Sequence, residues 1–290
     1  MRGAHRERSL ERSVAAFVDA RPGEVLLAAT SGGPDSAALA ALLARAAGER
    51  GAQLVLGHVN HGLRPSAWQD EAVVLALGGA LGARVLCASL APGSAAEARL
   101  RAARYAQLTR MARRTGAQRV FTAHHAEDQT ETVLLSLFRG TGPAGLTGMP
   151  SARPLAEGLE LVRPLLGVER AALAVYCRYR HLPYALDPSN ADAGYRRNAL
   201  RRALAELRPS FPGLDAAVAR CAAILQDEAA GTVRGQIRRR LRAEVARATG
   251  DARDLTFERL EAAAQAVESG RPGRHFLRDG VEIIVAGGRK

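Results

Sequence analysis

The sequence predicts an α/β fold, in which a parallel, doubly wound, Rossmann-like sheet is followed by a smaller, mainly helical C-terminal domain. Short apolar runs alternate with helical patterns over residues 25–138, and this order is typical of βαβ units. The apolar runs carry few polar residues, as expected for strands that helices cover on both faces. At 290 residues the chain also exceeds one average domain, so a second domain is expected.

Four strand–helix pairs are expected, at 25–29 and 37–49, 53–59 and 69–81, 84–90 and 95–115, and 119–123 and 126–138. A Gly/Pro-rich loop at 139–154 precedes a short strand near 159–163 and helices at 168–181 and 195–207. The helix-breaking segment 208–213 divides the chain into domains 1–210 and 211–290. The second domain is expected to hold a long helix over about 214–248, another over 256–269 and a hairpin near 276–285.

The composition favours a polyanionic partner and excludes one group of mechanisms. The formal net charge is +12, which favours nucleic acid because neutralising phosphates releases counterions. The only lysine is Lys290, so an internal lysyl-adenylate or a lysine in a phosphate loop is excluded. No apolar run approaches the roughly 18 residues of a membrane span, and the N-terminus lacks a signal-peptide pattern, so a cytoplasmic protein is expected.

The three cysteines are far apart in the sequence and show no metal-binding or redox spacing. Cys87, Cys177 and Cys221 lie in apolar segments and form no Cys-x-x-Cys pair. We therefore expect small, buried thiols rather than ligands of zinc or of an iron–sulfur cluster.

A glycine-rich segment between the first strand and its helix is the main candidate site. Its residues are Ser31, Gly32, Gly33, Pro34, Asp35 and Ser36. Glycines permit a tight turn, and the N-terminus of the following helix offers N–H donors and a positive dipole to an anion. Asp35 fits an anion site if it holds a Mg²⁺ ion that neutralises phosphates. An ordinary strand-to-helix turn is the alternative, but it does not account for this combination of residues.

Two acids begin the helix that follows the fourth strand. Asp128 and Glu131 are three residues apart and share one helical face, where they could bind a metal or an amine together. The alternative is that they only complement the helix dipole. For His124 and His125, polar contacts with a nucleotide or substrate are favoured over zinc, because no cysteine lies nearby in the sequence.

Other loops should reach the same edge of the sheet, where the carboxyl ends of parallel strands meet. His61 and Arg64 follow the second strand and could reach a phosphate or a base, whereas His58 fits a structural position at the strand end equally well. Arg104 could extend into the cleft or lie on a solvated helix face, with Arg101 and Tyr105 beside it.

Taken in order along the chain, these motifs resemble those of the tRNA(Ile)-lysidine synthase family of the PP-loop ATP pyrophosphatase superfamily. The resemblance covers residues 24–205 and depends on the whole series, since the glycine-rich loop marks only the superfamily. The segments that carry it are SGGPDS (31–36), HVNHGLR (58–64), LRAARY (100–105), TAHHAEDQTET (122–132), RGTG (139–142), DPSN (187–190) and RNALR (197–201).

The resemblance implies an adenine nucleotide alpha hydrolase-like fold, with residues 1–210 as the PP-loop ATP-binding catalytic domain and 211–290 as a tRNA-binding domain. It implies ATP, Mg²⁺, free L-lysine and the CAU-anticodon isoleucine tRNA as reactants, with an adenylylated cytidine intermediate. Asp128 and Glu131 would hold the lysine amine, and Arg104 and Asp35 would complete the catalytic set. ATP would contact the glycine-rich loop and His61. The tRNA or lysine would contact Arg64, His125, Asp187, Asn198 and Arg201.

Several alternatives stay open at this stage. The chain could be a PP-loop tRNA thiolation enzyme, an ammonia-dependent ligase, or a basic RNA-binding protein with a vestigial loop. The arginines at 238–240 and 242 flank an apolar helical stripe and could contact tRNA or simply face solvent. The sequence also leaves open whether the chain forms a homodimer.

Overall fold

The computed structural model describes residues 2–60, 67–90, 97–185, 195–250, 255–278 and 280–286. The chain divides into two compact units, one formed by residues 1–135 and 148–219 and the other by 136–147 and 220–290. How binding and catalysis are shared between domains 1–210 and 211–290 stays a prediction.

The first unit contains a six-stranded, mostly parallel sheet in the order β3-β2-β1-β4-β6-β5. The strands are β1 (Val25–Ala29), β2 (Gln53–Asn60), β3 (Arg84–Ser89), β4 (Arg119–Phe121), β5 (Ala152–Ala156) and β6 (Leu159–Val162). Only β5 is antiparallel to its neighbour. The strand order reverses at β1, because β2 and β4 lie on its two sides, and ligands of open α/β sheets bind at such a point.

Helices pack on both faces of this sheet, as a doubly wound fold requires. The first seven helices of the chain are α1 (Arg2–Ala15), α2 (Pro34–Gly48), α3 (Ala67–Leu81), α4 (Glu97–Thr115), α5 (Ala126–Leu137), α6 (Arg170–Tyr179) and α7 (Tyr195–Leu207). Side chains of α1, α2, α3 and α6 share one core with the sheet, and those of α4 form a second core on its other face. The predicted fold class is therefore confirmed.

The second unit is mainly helical and has its own core. Its elements are the end of α8 (Leu214–Ala230), α9 (Val233–Thr249), α10 (Phe257–Ser269), a 3-10 turn (Pro143–Thr147) and the hairpin β7 (Gly273–Arg278) and β8 (Val281–Val285). Leu241 and Val245 of α9 pack against Leu260 of α10 and Leu277 of β7. The hairpin follows the predicted position closely.

The single long helix predicted over about 214–248 is wrong, because two helices occupy this segment. Gly231 adopts a positive φ of 63°, which glycine tolerates and which ends a helix. The Thr232 hydroxyl then accepts a hydrogen bond from Gly235 N at 3.0 Å and caps α9. The Gly-Thr pair was therefore the sequence signal for the break. Helix α1 and strand β5 were also missed by the sequence prediction.

The arginines of α9 differ sharply in exposure, which corrects part of the predicted RNA surface. Arg238 is only 2% exposed, and its guanidinium contacts Asp227 Oδ2 at 2.6 Å and Glu261 Oε2 at 2.7 Å. It lies on the same side of α9 as Leu241 and Val245, and so faces the interior. Arg242 pairs with Glu228 at 3.1 Å, whereas Arg239 and Arg240 are exposed.

Candidate active site

The glycine-rich loop between β1 and α2 has the local structure of an anion site. Gly32 has a φ of 95°, and a Cβ atom there would lie 3.2 Å from the Asp70 carbonyl oxygen, so glycine is required on both grounds. Gly33 is the N-cap of α2 and receives no side-chain cap. The first N–H groups of a helix lack partners within it, so they are oriented to receive an anion.

The two serines of the loop have different surroundings. Ser36 is buried, and its hydroxyl donates to Gly33 O at 2.9 Å and accepts from Ser31 N at 3.1 Å. It therefore fixes the shape of the turn. Ser31 is exposed, and its hydroxyl lies 3.4 Å from Gly33 N and 3.2 Å from the Ser36 hydroxyl. Ser31 is thus the more accessible of the two hydroxyls.

Asp35 projects from the first turn of α2 into a polar cluster. Its Oδ2 lies 3.5 Å from Arg170 Nε and 3.7 Å from His125 Nε2. Its Oδ1 is buried and has no hydrogen-bond partner. Burial raises the pKa of Asp35, although the positive charges of His125 and Arg170 oppose this effect. A buried carboxylate oxygen without a donor is a fitting ligand for a hard cation such as Mg²⁺.

The segment that follows β4 directs two adjacent histidines into opposite environments. Thr122 N still donates to Val162 O, so the hydrogen bonds between β4 and β6 continue one residue beyond the end of β4. His124 Nδ1 lies 3.0 Å from the Thr122 hydroxyl. Burial lowers the pKa of His124 to about 3, and nearby Arg163, Arg104 and Arg101 act in the same direction against the charge of Asp128. His124 is therefore neutral at physiological pH.

His125 is buried among three carboxylates. Its Nδ1 lies 2.9 Å from Glu127 Oε2, and its Nε2 lies 3.4 Å from Asp128 Oδ2 and 3.7 Å from Asp35 Oδ2. Burial alone would lower the pKa of His125, but the hydrogen bond with Glu127 and these negative charges raise it above its ordinary value. His125 thus links the glycine-rich loop to α5.

Glu127 is a structural member of the site that the sequence analysis did not select. Both of its carboxylate oxygens accept from Arg170 N at 3.0 Å, so it holds the N-terminus of α6. Burial would raise its pKa, but the hydrogen bond and charge of His125 and the Arg170 N–H lower it below its usual range. Arg170 is 43 residues from Glu127, and no sequence pattern indicated that the two would meet.

The acidic pair on α5 faces arginines of α7. Glu131 is only 3% exposed, and its two oxygens contact Arg197 Nε at 2.7 Å and Arg201 Nε at 2.6 Å. The side chain of Asp128 is more exposed than that of Glu131. Its Oδ1 lies 3.7 Å from Arg201 Nη2, and its Oδ2 accepts from His125 N at 3.2 Å. Arg197 was not predicted as a site residue, although it lies within one of the motifs that carry the resemblance.

Five residues on the α4 face form what we call the arginine cluster. They are Arg101, Arg104, Tyr105, Arg153 and Arg163. The guanidinium carbons of Arg101 and Arg153 lie 5.4 and 5.5 Å from the centre of the Tyr105 ring, within cation–π range. Burial lowers the pKa of both Arg104 and Arg163. Arg104 is thus half-buried inside the cluster rather than on a solvated helix face.

The remaining predicted residues have mixed outcomes. His61, Arg64 and Asp187 lie outside the residues that the structure describes. Asn198 is half-buried on α7 beside Arg197. The substrate contacts proposed for Asn198, Arg201 and His125 stay predictions. His58 is buried, with Nδ1 2.9 Å from Thr30 O, as its structural interpretation expects.

The expectation of three buried cysteines is wrong for two of them. Cys177 is buried, and its thiol lies 3.1 Å from Pro34 O. Cys87 is exposed because β3 is an edge strand, and Cys221 is exposed on α8. Partial burial and the adjacent Glu71 raise the pKa of Cys87 to about 11, and burial raises that of Cys177 to about 12. These two thiols are therefore protonated at neutral pH.

The described residues contain neither a protein metal cluster nor a membrane-spanning helix. Within the ranges given above, no three or more histidine, cysteine, aspartate or glutamate side chains are arranged to hold a metal ion. Nor does any helix in the same ranges have the length and apolar character needed to cross a membrane.

Comparison with known proteins agrees with the resemblance seen in the motifs. A tRNA(Ile)-lysidine synthase from Gloeobacter violaceus is 43% identical over 209 residues, covering 71% of this chain and 64% of that protein. One from Ralstonia nicotianae is 43% identical over 222 residues, covering 74% of this chain and 48% of that protein. The chain thus spans less than two thirds of either relative.

A solved structure supports the fold independently. The U34-tRNA thiolase NcsA from Methanococcus maripaludis superposes with a TM-score of 0.66 at 15% identity, over 77% of this chain and 80% of that one. At this identity the similarity concerns the fold alone. The family profile described as the PP-loop domain matches residues 6–208. With the glycine-rich loop in place between β1 and α2, the chain belongs to the PP-loop domain family.

Proposed function

We propose that this chain ligates free lysine to the wobble cytidine of isoleucine tRNA with a CAU anticodon, using ATP through an adenylylated cytidine. The observation that carries the proposal is the pair of oppositely charged groups around the two histidines. His125 contacts Asp35 and Asp128, whereas the adjacent His124 lies within electrostatic range of Asp128 and of three members of the arginine cluster. Such a site suits a reaction that joins a cationic amine to a phosphorylated nucleotide.

The first step of the proposed reaction activates the cytosine oxygen. The 2-oxygen of the cytidine attacks the α-phosphorus of ATP, a new O–P bond forms, and the bond to the β-phosphate oxygen breaks as pyrophosphate leaves. Backbone N–H groups at the start of α2 and the Ser31 hydroxyl would hold the departing pyrophosphate. His61 would add a contact with ATP, and Arg104 would stabilise the charge on the adenylyl group.

Asp35 would hold a Mg²⁺ ion, since its buried Oδ1 has no donor. When bound, the ion supplies positive charge that neutralises the phosphates. Because the loop contains no lysine, the charge of Mg²⁺ and of nearby arginines would neutralise the phosphates.

In the second step the lysine ε-amine attacks C2 of the activated ring, and AMP leaves with the former cytosine oxygen. The ε-ammonium has an ordinary pKa near ~10.4, so it must lose a proton before it attacks. Asp128 is our candidate acceptor, because its carboxylate is only partly engaged. Arg64, His125, Asp187, Asn198 and Arg201 are proposed to position lysine or tRNA.

Glu131 is proposed as the second ligand of the ammonium, which requires a rearrangement. Both of its oxygens are held by Arg197 and Arg201 of α7. A lysine amine would have to displace at least one guanidinium, and the two cations would otherwise repel each other. We propose that tRNA binding to α7 draws these arginines towards RNA phosphates and so exposes Glu131.

A tRNA thiolation enzyme is less supported than lysine ligation. Sulfur transfer calls for reactive thiols or a metal cluster, and the pKa values of Cys87 and Cys177 are raised rather than lowered. The two exposed cysteines also lie in different units of the chain.

The direct test is incubation of the chain with unmodified isoleucine tRNA, ATP and isotopically labelled lysine. We expect label in the anticodon fragment of the tRNA, dependent on ATP and matched by release of AMP. A methionine tRNA with the same anticodon triplet serves as the control. Absence of label together with absence of tRNA-dependent AMP release would leave the non-catalytic RNA-binding alternative, and ATP-dependent sulfur incorporation would favour the thiolase.

The exposed arginines of α9 give a separate prediction about the second unit. Replacing Arg239 and Arg240 together by alanine should weaken tRNA binding and flatten its dependence on salt, with a decrease in log–log slope of about 1 to 2. Filter binding at several salt concentrations measures both quantities.

Arg238→Ala is compared with the double variant, because it removes a buried arginine from the same helix instead of two exposed ones. This substitution leaves Asp227 and Glu261 without their partner and should destabilise the unit by about 3 kcal/mol. An unchanged salt slope in the double variant would show that this face of α9 does not contact RNA.

A further inference from the structure

The arginine cluster contains more positive charge than its protein surroundings balance. Among the residues that the structure describes, Arg101, Arg104, Arg153 and Arg163 form no ion pair with a carboxylate. The other arginines around the site behave differently, since Arg170, Arg197 and Arg201 each contact an acid. A set of guanidinium groups held together without acids is typical of an anion-binding site.

Arg163 provides an independent indication of a missing ligand. Its side chain is 2% exposed, and Nη1 donates to Pro150 O at 2.8 Å, yet Nε is buried and has no hydrogen-bond partner. Burying a guanidinium is unfavourable unless its donors are paired. Arg163 also forms a side-chain hydrogen bond with Tyr105, which ties it to the rest of the cluster. An anion that reached Nε would satisfy this unpaired donor and so remove part of an existing penalty.

The position of Arg153 separates this end of the cluster from the glycine-rich loop. Arg153 lies on β5, the outermost strand, which is three strand positions away from β1 in the order of the sheet. Neighbouring strands are about 4.8 Å apart, so this offset is roughly 14 Å across the sheet. An ATP molecule whose β- and γ-phosphates occupy the loop after β1 has no second group of phosphates for this position. An RNA backbone has one at every nucleotide.

The stacking around Tyr105 also fits a nucleotide chain. Arg101 and Arg153 both lie over or beside the ring at cation–π distance. The guanidinium group of an arginine can bind two oxygens of one phosphate. Unstacked RNA bases can stack on the flat surfaces of arginine and tyrosine side chains. The same few side chains can therefore hold a phosphate and the base next to it.

We propose that Arg101, Tyr105, Arg153 and Arg163 form a subsite for a phosphodiester of the RNA strand next to the reacting cytidine, separate from the ATP phosphate site. The inference rests on the proposed function for the identity of the RNA. It adds a positioning element, formed by α4, β5 and the residue after β6, that fixes how the RNA strand enters the site. Arg104 keeps its proposed role at the adenylyl group.

The test is binding of unmodified isoleucine tRNA to Arg153→Ala without ATP, at several salt concentrations. We choose Arg153 because it is half-buried on an edge strand, so its loss should leave the core intact. We expect an increase in Kd of about 10-fold and a log–log salt slope smaller by about 0.7 to 0.9. Arg110→Ala is the matched control, since it removes the same charge from an exposed position on α4, and it should change neither quantity.

A second arm identifies the anion. Anticodon stem-loops with a single uncharged methylphosphonate on either side of the cytidine should bind the wild-type chain more weakly. At the phosphate that Arg153 contacts, the modification should weaken RNA binding by the wild type but should not weaken binding by Arg153→Ala any further. If Arg153→Ala binds tRNA like the wild type, or weakens ATP binding alone, the subsite is not for RNA.

These outcomes are distinct from failure of the proposed function. Lysine transfer by the wild-type chain judges the activity, whereas the subsite is judged by RNA binding in the absence of ATP and lysine. A chain that binds tRNA through Arg153 but transfers no lysine would overturn only the activity.

Discussion

Asp128→Asn is expected to lower kcat/KM for lysine incorporation by about 10²- to 10⁴-fold, the usual contribution of a general base. Asparagine retains an oxygen that can accept the hydrogen bond from His125 N, now 3.2 Å from Oδ2, so the start of α5 should keep its structure. What is lost is the negative charge that would bind the lysine ammonium and the basic oxygen that would accept its proton.

This effect can be assigned to the amine step by separating the two half-reactions. Exchange of labelled pyrophosphate into ATP, in the presence of tRNA and without lysine, reports only formation of the adenylylated cytidine. We expect exchange by Asp128→Asn to stay within a few-fold of the wild type. Glu157→Gln, at an exposed turn, is the matched control and should leave both reactions unchanged.

The pH dependence provides a further check. As the pH approaches the ~10.4 pKa of free lysine, more of the substrate is already deprotonated, so the variant should recover relative to the wild type. If exchange falls as much as lysine transfer, Asp128 acts in adenylylation, and our assignment is wrong.

Glu131→Gln is expected to lower the free energy of unfolding by about 3 kcal/mol, near the lower end of the range for breaking a buried ion pair. The wild-type carboxylate is buried and engages two guanidinium groups at 2.6 and 2.7 Å. A glutamine can accept from one of them, but its own NH₂ group would then face the other. Partial exposure of Arg197 and Arg201 reduces the penalty, because water can solvate them.

Urea denaturation of Glu131→Gln and the wild type measures this difference. Glu49→Gln is the matched control, because Glu49 pairs with Arg45 on the exposed surface of α2, and such pairs contribute at most about 1 kcal/mol. A loss below about 1 kcal/mol for Glu131→Gln would show that α7 does not depend on this contact. If the loss is as large as expected, inactivity of Glu131 variants says little about chemistry, and Asp128 is the informative position.

Sequence reasoning was most successful where local pattern and topology agree. The alternation of apolar runs and helical patterns predicted β1 to β4 with their helices, because buried parallel strands leave a strong apolar signal. The glycine-rich loop was located for the same reason, since its position after a buried strand limits what it can be. The spacing of Asp128 and Glu131 correctly placed both on α5, whereas their roles stay predictions.

The missed features depend on contacts between distant parts of the chain. Neither the salt bridges of Glu131 with Arg197 nor the hydrogen bonds between Glu127 and Arg170 N follow from spacing, because their partners lie on other helices. In an arginine-rich chain, sequence alone does not distinguish the paired Arg238 from the exposed Arg239. Strand β5 was missed because Pro154 suggested a loop, although proline is tolerated in an edge strand.

The opposite surroundings of His124 and His125 have a consequence for how this protein can vary. Burial lowers the pKa of His124 to about 3, whereas the hydrogen bond with Glu127 and the charges of Asp128 and Asp35 raise the pKa of His125, although the two histidines are adjacent in the chain. An insertion or deletion of one residue between Thr122 and His125 would displace both imidazoles from these partners even if both histidines were kept. The length of this short segment should therefore tolerate change less than its composition does.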